Sequence, residues 1–236
     1  MSLFVKLCGI RNESELEVAV EAGADAVGFV LTPSSRQIPL SRAARLNALL
    51  PDHVLGVAVF HDPSPELLRR TEEEVVPDLF QSELSTLVGV ASDRLLPVVV
   101  DGDDLERDLE LALNTAGSEL VLVDSAARGG TGRCPNWERL GTLAVAGKMI
   151  LAGGLDPENV RGAIEMARPF GVDVSSGIER SPGEKDPERM RAFVAAARGP
   201  ENPVFSARSE ATLGEVAKSS PLPGFAGTPP SPGGVA

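Results

Sequence analysis

The sequence has few cysteines, no long apolar run and a deficit of positive charge, and each absence excludes a class of protein. Two cysteines in 236 residues do not make a disulfide framework, which favours a reducing compartment. No apolar run approaches the roughly 18 residues that a membrane helix needs, and the N-terminal stretch turns polar too early for a signal peptide. We therefore expect a cytoplasmic protein that does not cross a membrane.

The charge balance narrows the choice of partners. Thirty-four acidic residues oppose 22 basic ones, which gives a net charge of -12. A surface of this sign disfavours nucleic acid and acidic membranes. An anionic small molecule is also repelled at long range, so local positive features must hold it.

Short β-branched runs alternate with helical patterns eight times up to about Arg198. The predicted strands are Phe4–Leu7, Ala26–Val30, Leu55–Phe60, Leu79–Gln81, Pro97–Val100, Leu120–Val123, Met149–Ala152 and Val172–Val174. The predicted helices are Glu13–Ala22, Leu40–Leu50, Pro65–Val75, Glu83–Val90, Asp104–Asn114, Asn136–Ala146, Asp156–Met166 and Asp186–Arg198. This alternation predicts an α/β fold with a parallel sheet, and eight units favour a single (β/α)₈ TIM barrel over residues 1–198. A doubly wound open sheet is the alternative.

Residues 199–236 have a different composition. They contain seven prolines and end in GTPPSPGGVA, so few apolar groups offset the entropy of ordering the chain. We predict a disordered tail.

Two turns of small residues follow the last two predicted strands. Gly153 and Gly154 end the first, Ser176 and Gly177 lie at the end of the second, and Asp156 begins a helix between them. Glycine turns at the ends of parallel strands let backbone N–H groups approach an anion. The pair predicts one shared phosphate site; the alternative is two tight turns that only join strands to helices.

Two strand ends carry candidates for proton transfer. Cys8 follows the first strand and is a candidate general base or nucleophile, although a lone cysteine is often only a buried small side chain. Asp124 follows the sixth strand and is a candidate general acid, because partial burial raises a carboxyl pKa. Its alternative roles are a loop N-cap or a partner to Arg128.

The remaining strand-end candidates concern binding. Arg36, after the second strand, is suited to hold a carboxylate in two hydrogen bonds, or else is a solvated surface residue. Gly129 and Gly130 lie in a loop that can supply N–H groups to a ligand. His61 is a weaker candidate, because the Asp-Pro-Ser-Pro that follows it is explained as a turn and a helix start.

Several segments between Val5 and Arg198 form a recognisable ordered set. They are VKLCGI at Val5–Ile10, EAGADAVGFV at Glu21–Val30, GGTG followed by Trp137, LAGGLDPENV at Leu151–Val160, and DVSSGIE at Asp173–Glu179. Together and in this order they resemble one enzyme family, phosphoribosylanthranilate isomerase of tryptophan biosynthesis. The resemblance implies a barrel enzyme that occurs as a monomer or a homodimer.

The resemblance also implies a reaction, the Amadori rearrangement of N-(5-phosphoribosyl)anthranilate to the 1-deoxyribulose 5-phosphate. In it Cys8 is the general base, Asp124 the general acid and Arg36 the ligand of the anthranilate carboxylate. The two turns hold the phosphate of this phosphoribosyl substrate. No metal and no organic cofactor is required, since the nitrogen of the substrate is the electron sink.

The fourth unit departs from the family pattern. The family usually has Gln-Leu-His-Gly after this strand, whereas this chain has Phe80-Gln81-Ser82-Glu83. The departure leaves open the same rearrangement on another aminophosphoribosyl substrate, or a catalytically silent phosphosugar-binding barrel. The presence of both Cys8 and Asp124 disfavours the silent barrel.

Overall fold

A computed structural model describes residues 3–87, 94–115, 120–124, 136–143, 145 and 148–199. Eight parallel strands form a closed barrel in chain order. They are β1 (Phe4–Cys8), β2 (Ala26–Val30), β3 (Leu55–Val59), β4 (Leu79–Glu83), β5 (Leu95–Val100), β6 (Val121–Asp124), β7 (Met149–Leu151) and β8 (Gly171–Val174). β1 pairs with β8, which closes the sheet. The predicted barrel is confirmed, and the open sheet is excluded.

Each barrel strand is followed by a helix. The helices are α1 (Glu13–Ala22), α2 (Leu40–Asn47), α3 (Pro65–Glu74), α4 (Leu84–Leu87), α5 (Leu105–Thr115), α6 (Trp137–Thr142), α7 (Val160–Ala167) and α8 (Pro187–Arg198). After β8 the chain makes a 3₁₀ turn at Ser176–Ile178 and a small antiparallel hairpin of β9 (Glu179–Ser181) and β10 (Glu184–Lys185). The sequence pattern did not predict this hairpin.

The apolar core has two layers. The larger layer packs the outer strand faces against the helices, with Val5, Leu7 and Phe193 among its fully buried members. The smaller layer consists largely of strand residues such as Phe4 and Ile150 inside the barrel. Strands that are buried on both faces explain the nearly continuous apolar runs in the sequence.

Several predicted helix boundaries have the expected chemistry. Ser64 accepts a hydrogen bond from the Leu67 N–H at the start of α3, and Asp186 accepts two backbone N–H groups at the start of α8. Gly23 ends α1 in the left-handed conformation, where a residue without Cβ is unstrained. Each such N-cap contributes about 1 kcal/mol to helix stability.

Several boundaries differ from the sequence prediction: α2 ends at Asn47, α6 ends at Thr142 and β5 begins at Leu95. Two further differences have clear tertiary reasons. Glu83 belongs to β4 and not to the following helix, because the β4–β5 ladder continues to the pair Glu83 and Val98. Helix α7 begins at Val160 and not at Asp156. The Asp156 carboxylate instead accepts the N–H groups of Glu158 and Asn159 in a turn that precedes α7.

Some predictions fall outside the described residues. Except for Gly199, this applies to the whole predicted tail at 199–236, and it applies to the loop of Gly129 and Gly130. Within the part of the chain that the structure describes, no helix has the length and apolar character needed to cross a membrane.

Candidate active site

A cavity of about 330 Å³ opens at the carboxyl ends of the barrel strands. Six of the residues predicted to form the site line it, namely Cys8, Arg36, Asp124, Gly153, Gly154 and Ser176. They come from opposite ends of the sequence, and the closed barrel places them at one rim. The described residues that line this cavity do not include Gly177, and Gly129 and Gly130 lie outside the description.

The two proton-transfer candidates end two strands that are not neighbours. Cys8 is the last residue of β1 and Asp124 the last of β6. Cys8 is 6% exposed, and it shares the inner face of β1 with Lys6 and Phe4, two and four residues earlier along the strand. The cavity therefore has a buried thiol and a carboxyl group on two different parts of its wall.

The turn after β7 requires glycine. Gly153 and Gly154 have φ angles of 87° and 65°, in the left-handed region that strains other residues. The Asn159 side chain donates a 2.8 Å hydrogen bond to the Gly154 carbonyl oxygen and holds the turn in place.

The turn after β8 packs directly on the turn after β7. A Cβ atom at Gly177 would overlap the Leu155 carbonyl oxygen and touch Asp156. Gly177 therefore acts behind the cavity wall, where it allows the close approach of the two turns. The predicted adjacency of the turns is present in the fold.

A buried ion pair lies beside Cys8. Lys6 Nζ is 2.8 Å from Asp173 Oδ1, and both side chains are almost fully buried. Burial alone would lower the pKa of Lys6, but Asp173 and Cys8 outweigh it and raise that pKa. Burial raises the pKa of the Cys8 thiol, an effect that Lys6 opposes and Asp173 reinforces.

Arg36 is held by a carboxylate that the sequence reasoning missed. Its Nε and Nη2 donate hydrogen bonds of 2.7 and 2.8 Å to the two carboxylate oxygens of Glu179. These bonds raise the pKa of Arg36. Burial alone would raise the pKa of Glu179, but Arg36 and Lys185 hold it below its usual range.

The β3–β4 side of the cavity carries a second, more exposed pair. The ring Nδ1 of His61 contacts the Glu83 carboxylate, and the Asp62 N–H donates to the same carboxylate over 3.2 Å. The His61 side chain is 43% exposed and that of Glu83 is 23% exposed. This pair occupies the region where the sequence departs from the family pattern.

Gln81 lines the cavity beside this pair. It is only 7% exposed, and its Oε1 has no hydrogen-bond partner in the described part of the chain. A buried acceptor without a partner costs about 1–3 kcal/mol. A bound ligand that donates a hydrogen bond would recover this free energy.

A closed (β/α)₈ barrel with two packed glycine turns, a buried thiol and a carboxyl group at its rim is typical of a phosphosugar-binding barrel enzyme. A comparison with known protein families identifies the particular family within this class. The chain belongs to the N-(5′-phosphoribosyl)anthranilate (PRA) isomerase family, whose model matches residues 5–196.

Relatives and solved structures agree with this assignment. The N-(5′-phosphoribosyl)anthranilate isomerase of Natronomonas pharaonis is 41% identical over 206 residues, covering 83% of this chain and 98% of the relative. A phosphoribosyl anthranilate isomerase in complex with reduced 1-(o-carboxyphenylamino)-1-deoxyribulose 5-phosphate is 35% identical, with a TM-score of 0.66. Monomers of the dimeric enzyme from Thermotoga maritima have the same identity and TM-score. Both structures cover 83% of this chain, which covers 98% of theirs.

Proposed function

We propose that this chain catalyses the Amadori rearrangement of N-(5′-phosphoribosyl)anthranilate to 1-(2-carboxyphenylamino)-1-deoxyribulose 5-phosphate in tryptophan biosynthesis. The observation that carries the proposal is one cavity lined by Cys8, Asp124 and the two packed turns. The family assignment supports it, as does the solved relative in complex with the reduced form of this product.

The phosphate end of the substrate occupies the turns after β7 and β8. Gly153, Gly154 and Ser176 line that part of the cavity. Backbone N–H groups in such turns attract an anion, and the absence of Cβ atoms lets the phosphate approach the backbone. This local attraction is needed because the net charge of the chain is -12.

Asp124, in its protonated form, donates its proton to the furanose ring oxygen. The C1–O bond then breaks while the lone pair of the anthranilate nitrogen forms a C1=N iminium. The open-chain iminium makes the C2 hydrogen acidic, because electrons released there can flow to the nitrogen.

Cys8, as thiolate, removes this C2 proton and produces an enolamine. Tautomerisation to the 2-ketone returns one proton to C1, so substrate and product are isomers. Each proton transfer contributes roughly 10²–10⁴-fold to the rate. The raised pKa of Cys8 makes its thiolate scarce at neutral pH but a stronger base when formed.

Arg36 binds the carboxylate of the anthranilate ring. Glu179 occupies its Nε and Nη2, which leaves the Nη1–Nη2 edge of the guanidinium for a second carboxylate in the cavity. A preoriented arginine loses little side-chain entropy when it binds a carboxylate in this way.

Direct assay of the purified chain tests the proposal. Turnover of N-(5′-phosphoribosyl)anthranilate is followed by the change in anthranilate fluorescence, and the same gene is introduced into a tryptophan auxotroph that lacks the isomerase. We expect turnover and growth, with the double variant Cys8→Ser/Asp124→Asn as the inactive control. A well-expressed, folded chain that does neither would contradict the proposal.

A second candidate is the same rearrangement on a different aminophosphoribosyl substrate. Ser82 and Glu83 favour it, since they stand where the family usually has other residues, and Glu83 contacts His61 on that side of the cavity. Comparison of kcat/KM between anthranilate and other aryl-amine phosphoribosides distinguishes the two candidates.

We also propose a small-molecule substrate as the only partner besides a second copy of the chain, and a cytoplasmic location. A dimeric form exists for the Thermotoga maritima enzyme. Light scattering on the purified chain decides between monomer and homodimer, and cell fractionation tests the compartment.

A further inference from the structure

Lys185 is a buried cation that the reaction steps above do not use. Its side chain is 0% exposed. Its Nζ donates to the Ser175 carbonyl oxygen at 2.8 Å, to Ser175 Oγ at 3.3 Å and to Glu179 Oε1 at 3.0 Å. A lysine held by three acceptors in the interior costs desolvation energy that a surface lysine avoids.

The contacts of Lys185 lead to Cys8. Ser175 Oγ, which accepts a hydrogen bond from Lys185, itself donates a 3.1 Å hydrogen bond to the Cys8 carbonyl oxygen. Lys185 Nζ also lies directly behind the turn that follows Cys8, 3.3 Å from where a Cβ on Gly9 would stand. Lys185 is thus linked to the backbone of the thiol and packed close to it.

The charged side chains that surround Cys8 come from five elements. They are Lys6 on β1, Asp173 on β8, Glu179 on β9, Lys185 on β10 and Arg36 in the loop after β2. They make up three cations and two carboxylates, which we call the buried charge cluster. With Cys8 as a neutral thiol the cluster carries one excess positive charge, and the thiolate neutralises it.

We propose that Lys185 is a positioning residue for Cys8, which it anchors through Ser175 and whose thiolate it stabilises by its charge. The inference rests on the proposed role of Cys8 as general base. It also assigns a role to the β9–β10 hairpin. The hairpin places a second cation at the carboxyl end of β1, where the barrel strands supply one cation, Lys6, together with its partner Asp173.

The directions of the pKa shifts of Cys8 and Lys185 agree with this role. Burial raises the pKa of Cys8, and Lys185, with Lys6, is a charge that lowers it. Burial lowers the pKa of Lys185, an effect that Glu179 and Cys8 oppose. Loss of Lys185 therefore raises the pKa of Cys8 further.

The test measures the rate of Cys8 alkylation by iodoacetamide against pH, in a Cys134→Ser background so that one thiol is followed. In Lys185→Met the pKa of Cys8 rises, and alkylation near neutral pH slows about tenfold, because only the thiolate reacts. The matched control is Lys148→Met, which removes an exposed lysine by the same substitution and leaves the profile unchanged. Lys185→Arg keeps the charge and restores most of the rate.

A second variant removes the charge but keeps a hydrogen-bond donor. Lys185→Gln retains a side-chain N–H group for Ser175, while the pKa of Cys8 still rises and alkylation near neutral pH slows about tenfold. If Lys185→Met does not melt cooperatively, Lys185→Gln decides alone. A residue that only supports the fold would lower the melting temperature without moving the pKa of the thiol.

The kcat profile provides the functional readout. In Lys185→Met the part of the kcat profile that reports ionisation of Cys8 shifts to higher pH, so that activity relative to the parent chain recovers in part at high pH. An unchanged alkylation profile in folded Lys185→Met, or in folded Lys185→Gln, would overturn the inference. Alkylation does not require turnover. If the thiol profiles shift as expected but the chain has no isomerase activity, the role of Lys185 stands and the proposed reaction is wrong.

Discussion

The two sides of the cavity differ in how their charges are held. On the β8–β1 side the Lys6–Asp173 and Lys185–Glu179 pairs are almost fully buried. On the β3–β4 side the His61–Glu83 pair is partly exposed. Charges interact more strongly in the poorly solvated interior than at a solvated rim, where water and salt screen them.

This difference separates two tasks. The buried side contains segments that match the family motifs, together with Cys8 and the turns proposed to hold the phosphate, so we propose that it serves the chemistry common to all substrates of this class. The exposed side departs from the family pattern at Ser82 and Glu83. Substitutions there are expected to alter substrate preference with small losses, and substitutions on the buried side are expected to abolish turnover.

The largest effects are expected at the proton-transfer pair. Cys8→Ser and Asp124→Asn each lower kcat by roughly 10²–10⁴-fold, because each removes one proton transfer. The affinity for inorganic phosphate, measured by calorimetry, stays within about twofold of the parent chain, since the turns are untouched. Normal turnover in either folded variant would show that the acid–base assignment is wrong.

The next largest effect is expected at Arg36, which joins the two sides. Arg36→Ala raises KM for the anthranilate substrate at least about tenfold, from loss of a charge-assisted contact of about 1.5–3 kcal/mol. Steady-state kinetics measure it, with Arg42→Ala, an exposed arginine on α2, as the control. An unchanged KM would indicate another aglycone and would weaken the proposed function.

A smaller effect is expected at the exposed pair. His61→Ala and Glu83→Gln change kcat/KM by about twofold to fivefold, because an exposed ion pair is worth about 0.2–1 kcal/mol. Parallel assays with anthranilate and a second aryl-amine phosphoriboside show whether preference changes. A loss of kcat/KM as large as that expected for Arg36→Ala would contradict the proposed difference between the two sides of the cavity.

The smallest effect is expected from removal of residues 200–236. Gly199 is kept, because its N–H donates to the Ala195 carbonyl oxygen and ends α8. A segment with few apolar groups adds little stability, so we expect the melting temperature and kcat of the shortened chain to match those of the full chain. Differential scanning calorimetry and the isomerase assay check this, and a marked loss of either would show that the segment docks on the barrel.

The fold was predictable because its signals are local and repeated. The periodicity of apolar residues and the turn residues at each end indicate each strand and helix. Because β-α-β crossovers between parallel strands are right-handed, eight such units can be arranged in few ways. The boundaries at Glu83 and Val160 were missed for the opposite reason. A ladder partner on β5 and a capped turn before α7 decided them, and neither is visible in the segment itself.

The site was predictable to the extent that its residues follow strands. Cys8, Asp124 and the glycine turns could be located by counting from the apolar runs. Glu179 and Lys185 were missed, because they lie in a hairpin with no strong pattern, and Lys6 was missed as a site residue because it lies within an apolar strand. A buried lysine in a sequence looks like any exposed lysine until the fold removes it from water.

The sequence by itself therefore determined the closed barrel, the two adjacent turns of small residues and the strand-end positions of the thiol and the carboxyl group, since these depend on neighbours a few residues away. Only the tertiary structure decided which charges face one another. Arg36 meets Glu179 across 143 residues of chain, and Lys6 meets Asp173 across 167. Such pairs depend on barrel closure and strand register, because the same side chains remain separately solvated until β1 and β8 come together.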